Sequence, residues 1–280
     1  MLPFPLKPML LQSTDTPFDS TDHIFEWKVD GIRGIMFYDR RTTRLQSRTG
    51  KDCTMQFPEL LSPQVRADEA VFDGEIAVII DGRPDFEGVM ERYMSGSKRI
   101  ETLSRTKTAI YIVWDILWLN RKSLMDRPLL ERKAILENVL SNSTYIKKID
   151  YVDTEGTLLW AAIKEHQLEG IVCKPKQSKY FPGRRRPFVK IKNFQLAKVN
   201  VFGYSRKDHS ILVGTGDRVQ GHAIGIHSQD RDVLWQLLRE YGTDEGPAIF
   251  LPPGIRGRVK FTTLSTSGNM RDCCWEAFQI

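Results

Sequence analysis

The sequence predicts a two-domain protein, with an α+β domain over residues 1–195 and a smaller β-barrel domain over residues 196–280. Three observations indicate this organisation. The 280 residues exceed the roughly 150 that are typical of one domain. Hydrophobic residues make up 41% of the chain, which is enough to build folded cores. Helical and strand-like segments are mixed in the first part, whereas short strands dominate from about Lys198 onward.

In the first domain, the opening 23 residues are rich in Pro, Ser, Thr and Asp and are predicted to form a loop. β-branched and aromatic runs between turn residues then predict strands at Ile24–Val29, Gly34–Tyr38, Ala70–Ile80, Ala109–Trp118, Gly170–Cys173 and Phe188–Ile191. Apolar residues at helical spacing predict two helices, Pro128–Leu140 and Thr154–His166. Thr154 is the expected N-cap of the second helix.

In the second domain, five short strands and one helix predict a small barrel of the oligonucleotide-binding (OB) type. The strands are expected at Val199–Tyr204, Ile211–Val213, His222–Ile226, Ala248–Leu251 and Arg258–Thr263, and the helix at Asp230–Tyr241. The boundary is placed near Gln195, with Phe194–Ala197 as a hinge between the domains.

Composition excludes several classes of protein. The 41 Lys and Arg residues outnumber the 35 Asp and Glu residues, and the net charge of +6 permits a nucleic-acid partner. The four cysteines lack CxxC spacing, which favours reduced thiols in a cytoplasmic protein. No apolar run approaches the roughly 20 residues that cross a bilayer, so no membrane partner is expected. Neither a glycine-rich phosphate loop nor an HExxH zinc motif is present.

The most informative segment is Glu26–Arg33, whose sequence is EWKVDGIR. Lys28 ends a predicted strand, and Asp30 with Gly31 makes the following turn. A lysine that is partly desolvated and lies beside other cations loses its proton more easily, so it can act as a nucleophile. An ordinary strand–turn–strand is the alternative for this segment taken alone, because short motifs match by chance.

The segment resembles motif I, K-x-D-G-x-R, of the covalent nucleotidyltransferases, which include ATP-dependent DNA ligases, RNA ligases and mRNA capping enzymes. Five further blocks follow in that family's order: Ser47–Gly50, Phe72–Glu75, Val113–Leu117, Glu169–Val172 and Val189–Lys192. Together they resemble a small bacterial or phage-type ligase, similar to the ligase module of bacterial end-joining ligases. The resemblance implies a nucleotidyltransferase (ATP-grasp-like, ligase) catalytic domain followed by an OB-fold barrel.

The resemblance implies a catalytic role for four residues: Lys28, Asp30, Lys190 and Lys192. Lys28 is expected to attack the α-phosphate of ATP, release pyrophosphate and carry AMP. Lys190 and Lys192 alternate along a strand, so both can reach one phosphate. Asp30 is expected to fix the turn and the local electrostatics rather than to act as a base.

The resemblance also assigns ATP binding to five residues: Glu26, Arg33, Arg48, Glu75 and Trp114. Glu26 matches a position that reads the adenine amino group, and Arg33 and Arg48 match positions near the ribose and the nick phosphates. Trp114 matches the aromatic residue that stacks on adenine. Packing in the core is its alternative role, since Trp118 lies on the same strand face.

Glu75 and Glu169 match carboxylates that contact the ribose or support a divalent metal in that family. Carboxylate ligands and a phosphate substrate favour Mg²⁺, with Mn²⁺ as a substitute. A surface glutamate is the alternative for either residue taken alone.

The positive charge is concentrated between Gly170 and Gln195, where eight Lys or Arg residues occur without any Asp or Glu. Within it, Tyr180–Arg186 resembles the loop before the K-x-K strand of end-joining and small phage-type ligases. The resemblance implies DNA binding by Arg48, Lys179, Arg184, Arg185 and Arg186. A solvated charged loop is the alternative.

The chain departs from the family at motif VI, R-x-D-K, which orients the pyrophosphate leaving group. Gly268–Arg271 resembles the residues that lead into this motif, but no R-x-D-K follows. Either Arg271, Arg256 or Arg258 takes that role, or the element is missing and self-adenylation is weakened.

We therefore expect an ATP-dependent DNA ligase that seals 5′-phosphate/3′-hydroxyl nicks through lysyl-AMP and adenylated DNA. Its expected cofactors are ATP, with AMP held covalently on Lys28, and Mg²⁺. It is expected to act as a monomer on nicked double-stranded DNA, in a bacterial cytoplasm or a phage host, with an end-binding protein as a candidate partner. The alternatives are an RNA ligase, a GTP-using capping enzyme, and a non-catalytic nucleic-acid-binding module with a decayed active site.

Overall fold

The computed structural model describes residues 4–279, apart from the side chains of Arg184–Arg186. The chain divides into two compact units, Met1–Lys192 and Asn193–Ile280. This division lies within three residues of the boundary predicted near Gln195, and the last three residues of the predicted hinge Phe194–Ala197 begin a strand. Its first three residues pair with Val259–Phe261.

The first unit contains four α-helices and twelve strands in its described part. The helices are α1 Phe86–Met94, α2 Ser97–Thr106, α3 Leu129–Val139 and α4 Gly156–Glu165. The strands are β1 Met9–Ser13, β2 His23–Trp27, β3 Ile32–Asp39, β4 Thr43–Ser47, β5 Glu69–Ile80, β6 Arg83–Pro84, β7 Ala109–Leu119, β8 Lys122–Ser123, β9 Ile146–Lys148, β10 Val152–Asp153, β11 Gly170–Pro175 and β12 Gly183–Lys192. Short 3₁₀ turns lie at Thr54–Gln56 and Pro58–Leu60.

These strands form two sheets, and each carries part of the predicted site. One sheet has five strands in the order β1-β12-β11-β2-β10. The other has seven, in the order β4-β3-β5-β7-β8, with β6 pairing with β5 and β9 with β7. Long strands β5 and β7 are almost wholly buried, because they form the centre of the second sheet and pack on both faces.

Three local predictions in the first unit are wrong. The opening segment is not only a loop, because β1 pairs in parallel with β12. The residues Gly183–Arg186, expected before the K-x-K strand, already belong to β12. Thr154 has a φ of +71° and is not an N-cap, since α4 begins at Gly156 after Glu155.

Two helices, α1 and α2, were not predicted at all. Both are short and polar: only Val89 among the apolar residues of α1, and only Ile100 and Leu103 among those of α2, are fully buried. Arg92 of α1 is also buried and pairs with Glu59, with 2.7 Å between Nη1 and Oε1. A buried arginine in a helix weakens the apolar pattern from which a helix is predicted.

The second unit is a seven-stranded sheet with one helix. Its strands are β13 Gln195–Ser205, β14 Ser210–Gly214, β15 Gly221–Ala223, β16 Thr243–Asp244, β17 Ala248–Phe250, β18 Arg256–Phe261 and β19 Cys274–Gln279, and its helix is α5 Ser228–Tyr241. β13 pairs with β14, β17 and β18, so it is the central strand. Leu234 and Leu238 of α5 pack into the same core as Trp275 of β19.

Across the described residues, no helix combines the length and the apolar character that a membrane crossing requires.

Candidate active site

The five-stranded sheet brings together motif residues that are far apart in sequence. β11 lies between β2 and β12, so Val172 is opposite both Glu26 and Lys190. Gly170 is likewise opposite Lys192. Because opposed residues share a face and alternate residues along a strand share a face, Glu26, Lys190 and Lys192 lie on one side of the sheet. This confirms that Lys190 and Lys192 share a face, as their spacing predicts.

Lys28 lies immediately after β2 and is fixed at both its backbone and its side chain. Its backbone N–H donates to Gly170 O at 2.7 Å. Its Nζ donates to Glu169 Oε2, also at 2.7 Å. The lysine side chain is 20% exposed and the glutamate side chain 5% exposed, so the pair is shielded but still accessible from the cleft.

The electrostatic surroundings of Lys28 differ from the expected ones. Burial lowers the pKa of Lys28, but the carboxylates of Glu169, Glu75 and Asp30 outweigh it, and the pKa lies above its usual value. The expectation that neighbouring cations release the proton of Lys28 is therefore wrong for the free protein. Lys28 is held as an ammonium ion until a substrate changes this balance.

Two glycines allow the close packing around Lys28. A Cβ on Gly31 would meet the carbonyl oxygen of Ile76 at 2.3 Å, so the turn after Lys28 can approach β5 only with glycine there. Gly170 has a φ of +152°, and its Cβ would meet the carbonyl oxygen of Ile191 at 2.0 Å. The glycines of the D-G and E-G blocks are thus steric requirements of this site.

The seven-stranded sheet of the first unit supplies Arg33, Glu75 and Trp114 from strands β3, β5 and β7. Arg33 pairs in register with Glu75, and its guanidinium forms a two-pronged ion pair with the fully buried Asp73. Burial lowers the pKa of Arg33, but Asp73 outweighs this effect, so the pKa is raised and the charge is permanent. The guanidinium also lies 4.7 Å from the centre of the Trp114 ring.

The Arg33–Asp73 pair is part of a longer buried network that includes β1. Tyr180 donates its hydroxyl to Asp73 Oδ2 at 2.8 Å and accepts the backbone N–H of Met9 at 2.9 Å. Arg33 Nη2 in turn donates to Met9 O at 3.2 Å. The network fixes the N-terminal strand against both sheets at the edge of the cleft.

Between the two sheets of the first unit lies a pocket with a cavity volume of about 60 Å³. Its lining combines charged motif residues with apolar ones: Met9, Leu11, Glu26, Trp27, Lys28, Val29, Arg33, Glu75, Trp114, Ile149, Val172, Lys174 and Phe188. A mostly apolar pocket with a few convergent charged groups is typical of a small-molecule or cofactor site. Trp114 is half-buried and faces this pocket, whereas Trp118 packs in a different core cluster.

Glu26 lies in this pocket between two lysines. Lys133 Nζ of α3 is 2.5 Å from Oε1, and Lys174 Nζ of β11 forms a short ion pair with Oε2. Lys174 also lies 5.3 Å from the centre of the Trp114 ring and 5.2 Å from that of Phe188. Burial raises the pKa of Glu26, but both lysines outweigh it, so the pKa lies below its usual value and the group is a carboxylate.

Glu75 and Glu169 form the acidic part of the site. Burial raises the pKa of Glu75 to about 8, with the charge of Glu169 adding to the rise and those of Lys28 and Arg33 opposing it. Burial also raises the pKa of Glu169, against the opposing effect of Lys28. Carboxylates that repel each other in this way fit a divalent cation, which would relieve the repulsion. Among the described residues, no three His, Cys, Asp or Glu side chains gather as metal ligands. A cation here would therefore need oxygens from a bound triphosphate as well.

Of the residues predicted to bind DNA, Arg48 and Lys179 can be placed, and neither lines the pocket. Arg48 is exposed on the turn after β4. Lys179 is 52% exposed, with its Nζ 3.5 Å from Asp126 Oδ1. The side chains of Arg184, Arg185 and Arg186 lie outside the described residues, so their role stays a prediction.

Sequence reasoning missed four residues of this site: Asp73, Lys133, Lys174 and Tyr180 as a hydrogen-bonding residue. Asp73 stands in the D-G-E block and Lys174 follows the E-G block, so motif position could have indicated both. Lys133 belongs to no block, and only the packing of α3 reveals its contact with Glu26. The charged segment around Tyr180 predicts an exposed loop, whereas the tyrosine is 3% exposed and its hydroxyl is hydrogen-bonded to Asp73 and Met9.

Known proteins resemble this chain over most of its length. A family model described as "ATP dependent DNA ligase domain" matches residues 8–192. The SPbeta prophage-derived DNA ligase-like protein LigB of Bacillus subtilis is 28% identical over 277 residues, covering 98% of this chain and 99% of the relative. The multifunctional non-homologous end joining protein LigD of Mycobacterium bovis is 26% identical over 304 residues, covering 98% of this chain but only 38% of LigD.

Among solved structures, mycobacterial DNA ligase D complexed with ATP and MES superposes with a TM-score of 0.57 at 23% identity. The match covers 98% of this chain and 95% of that one. It shows a shared fold of mixed α and β content and confirms that part of the prediction.

Proposed function

The chain belongs to the ATP-dependent DNA ligase family, and from that premise we propose that it seals nicked duplex DNA with an AMP carried on Lys28. The observation that carries the proposal is the position of Lys28 Nζ, which lines the pocket that also holds Trp114 and Glu26. A lysine amine can attack phosphorus. Lys174 also lines this pocket, but its side chain is only 3% exposed and is paired with Glu26, whereas the Lys28 side chain is 20% exposed and therefore accessible to ATP.

In the proposed first step, the lone pair of Lys28 Nζ attacks the α-phosphorus of ATP, a P–N bond forms and pyrophosphate leaves. The ammonium must first lose a proton, and Glu169 Oε2 accepts its hydrogen bond at 2.7 Å. Arg33, Lys190 and Lys192 provide positive charge for the phosphoryl oxygens on which negative charge develops. Trp114 and Glu26 hold the base.

In the later steps, an oxygen of the DNA 5′-phosphate attacks the phosphorus of lysyl-AMP and the P–N bond breaks. The 3′-hydroxyl then attacks the 5′-phosphorus, AMP leaves and the backbone closes. In the second step Lys28 is the leaving group and takes up a proton as its amine is released, whereas the third step needs only the groups that bind AMP and the DNA phosphates.

Mg²⁺, or Mn²⁺ as a substitute, would be held by Glu75 and Glu169 together with triphosphate oxygens, and would supply positive charge beside the leaving group. Asp30, two residues after Lys28, adds to the negative charge that raises the pKa of Lys28 in the free protein.

The raised pKa of Lys28 leads to a pH prediction. The reactive amine becomes more abundant as the pH rises toward that pKa, so the rate of covalent AMP formation should increase between about pH 6 and about pH 9. The measurement is the single-turnover rate with saturating ATP and Mg²⁺ at each pH. A rate that falls across this range would contradict the assignment of a protonated resting lysine.

The arginine run of β12 is proposed to track DNA phosphates. Replacing Arg184, Arg185 and Arg186 by alanine should weaken nick binding and reduce the slope of log affinity against log salt by roughly 3. Binding titrations of a nicked duplex over a range of salt concentrations measure this slope. An unchanged slope would remove these side chains from the DNA-binding surface.

We propose that the second unit, a seven-stranded sheet with one helix, is an OB-type barrel. We also propose that the protein acts as a monomer in a bacterial cytoplasm. LigD is named as an end joining protein, so an end-binding protein is a candidate partner here.

The test of the proposed function is covalent labelling with ATP or GTP in the presence of Mg²⁺, followed by sealing of nicked DNA or nicked RNA. The proposal expects labelling by ATP and sealing of DNA. Labelling by GTP would favour a capping enzyme, sealing of RNA alone an RNA ligase, and no labelling a non-catalytic binding module.

A further inference from the structure

Glu26, which lines the pocket, forms an ion pair with a lysine that belongs to none of the motif blocks. Glu26 is 1% exposed, and Lys133 reaches its Oε1 from α3, more than 100 residues further along the chain. Lys174 occupies the other oxygen. Oε2 accepts a hydrogen bond from Lys174, whereas Oε1 faces the Lys133 ammonium as an ion pair without hydrogen-bond geometry. Rotation of the carboxylate would break an ion pair.

The position of Lys133 is itself fixed by a rigid contact. The preceding residue, Arg132, forms two hydrogen bonds of 2.8 Å with Asp115 of β7, and both side chains are fully buried. A buried bidentate pair of this kind holds α3 in register against the sheet. The Lys133 ammonium also lies 5.2 Å from the centre of the Tyr151 ring, which restricts it further.

We propose that Lys133 is a positioning residue that makes the pocket select adenine over guanine, by holding Glu26 in one orientation as an ionised acceptor. This inference rests on the proposed use of ATP. Lys133 does not line the pocket among the described residues, so it acts through Glu26 rather than on the base.

The chemistry of the two purines explains the selection. At the position where adenine carries an amino group, which donates, guanine carries a carbonyl oxygen, which accepts. A carboxylate can only accept, so it binds the amino group and repels the carbonyl oxygen. A carboxyl group that has lost one cation can rotate or take up a proton, and a protonated carboxyl can donate to the carbonyl oxygen of guanine.

The experiment measures the rate of covalent AMP formation from ATP and of GMP formation from GTP, each as kcat/KM, in the wild type, Lys133→Met and Lys133→Gln. The ATP/GTP preference should fall roughly tenfold or more in both variants, through a higher KM for ATP and a gain with GTP. Lys133→Arg should restore most of the preference. In the Glu26→Gln background, Lys133→Met should change the preference less than twofold, because the residue acts through Glu26.

Lys148→Met is the matched control. Lys148, at the end of β9, pairs through Nζ with Oε1 of Glu137 at 2.6 Å. Glu137 belongs to α3, the helix that also carries Lys133, but this ion pair does not involve Glu26. Lys148→Met should leave the ATP/GTP preference within about twofold of the wild type.

A fall in melting temperature with an unchanged ATP/GTP preference would overturn the inference, since Lys133 would then be only structural. An equal change in the Glu26→Gln background would overturn it as well. If one variant fails to fold, the other two still measure the preference. Absence of any labelling of the wild type would instead contradict the proposed function.

Discussion

Replacing Lys28 by alanine is expected to reduce covalent AMP formation by roughly a thousandfold or more, to a level that is not detectable. The substitution removes the accessible amine that would form the P–N bond. Glu169 then remains, which forms no phosphoamide, and the amine of Lys174 is buried against Glu26. The measurement is transfer of label from α-labelled ATP to the protein, read after denaturation.

The control for Lys28→Ala is a nick that already carries AMP on its 5′-phosphate. Sealing of this substrate needs no nucleophilic lysine, so the variant should still close it, which shows that the protein is folded and binds DNA. A labelled adduct in Lys28→Ala would show that another residue is the nucleophile.

Replacing Asp73 by asparagine is expected to have the second large effect, on stability as well as activity. Asp73 is 0% exposed and binds Arg33 through both oxygens, while Tyr180 donates to one of them. Removing one partner of a buried ion pair costs about 3–5 kcal/mol, because the other charge stays buried without compensation. In a unit of this size, that loss should lower the melting temperature of the first unit by roughly 6–20 °C.

Tyr180→Phe is the graded comparison for Asp73→Asn. It removes one neutral donor from the same carboxylate and leaves the backbone N–H of Met9 without its acceptor, so it should cost about 2 kcal/mol and leave most of the labelling activity. Thermal unfolding of both variants, followed by covalent labelling at a temperature where both are folded, separates stability from chemistry. Equal melting temperatures for Asp73→Asn and Tyr180→Phe would contradict a charged role for Asp73.

The order of the motif blocks allowed much of the site to be predicted from sequence. Lys28, Glu75 and Trp114 lie on or next to strands β2, β5 and β7, and all three line one pocket. Alternation along β12 placed Lys190 and Lys192 on one face. The shared face of Lys190 and Lys192 follows from strand periodicity. The meeting of Lys28, Glu75 and Trp114 was expected from the family resemblance, and the role of each in the reaction stays a prediction.

What could not be predicted depends on contacts between distant segments. β1 was predicted as loop because proline surrounds a strand of only five residues, whose partner, β12, lies more than 170 residues further along the chain. The contact of Lys133 with Glu26 depends on how α3 packs on β7. The pKa of Lys28 was expected to be lowered but is raised, because carboxylates from three separate segments surround the lysine.

The central claim is that AMP passes from ATP to Lys28 and then to DNA. The most direct test is a single-turnover chase, in which protein labelled with AMP is freed of ATP, mapped by peptide mass spectrometry and mixed with a nicked duplex. We predict that the label maps to Lys28, moves to the DNA 5′-phosphate and leaves as AMP while the nick closes. Label that stays on the protein while the nick remains open would contradict this account.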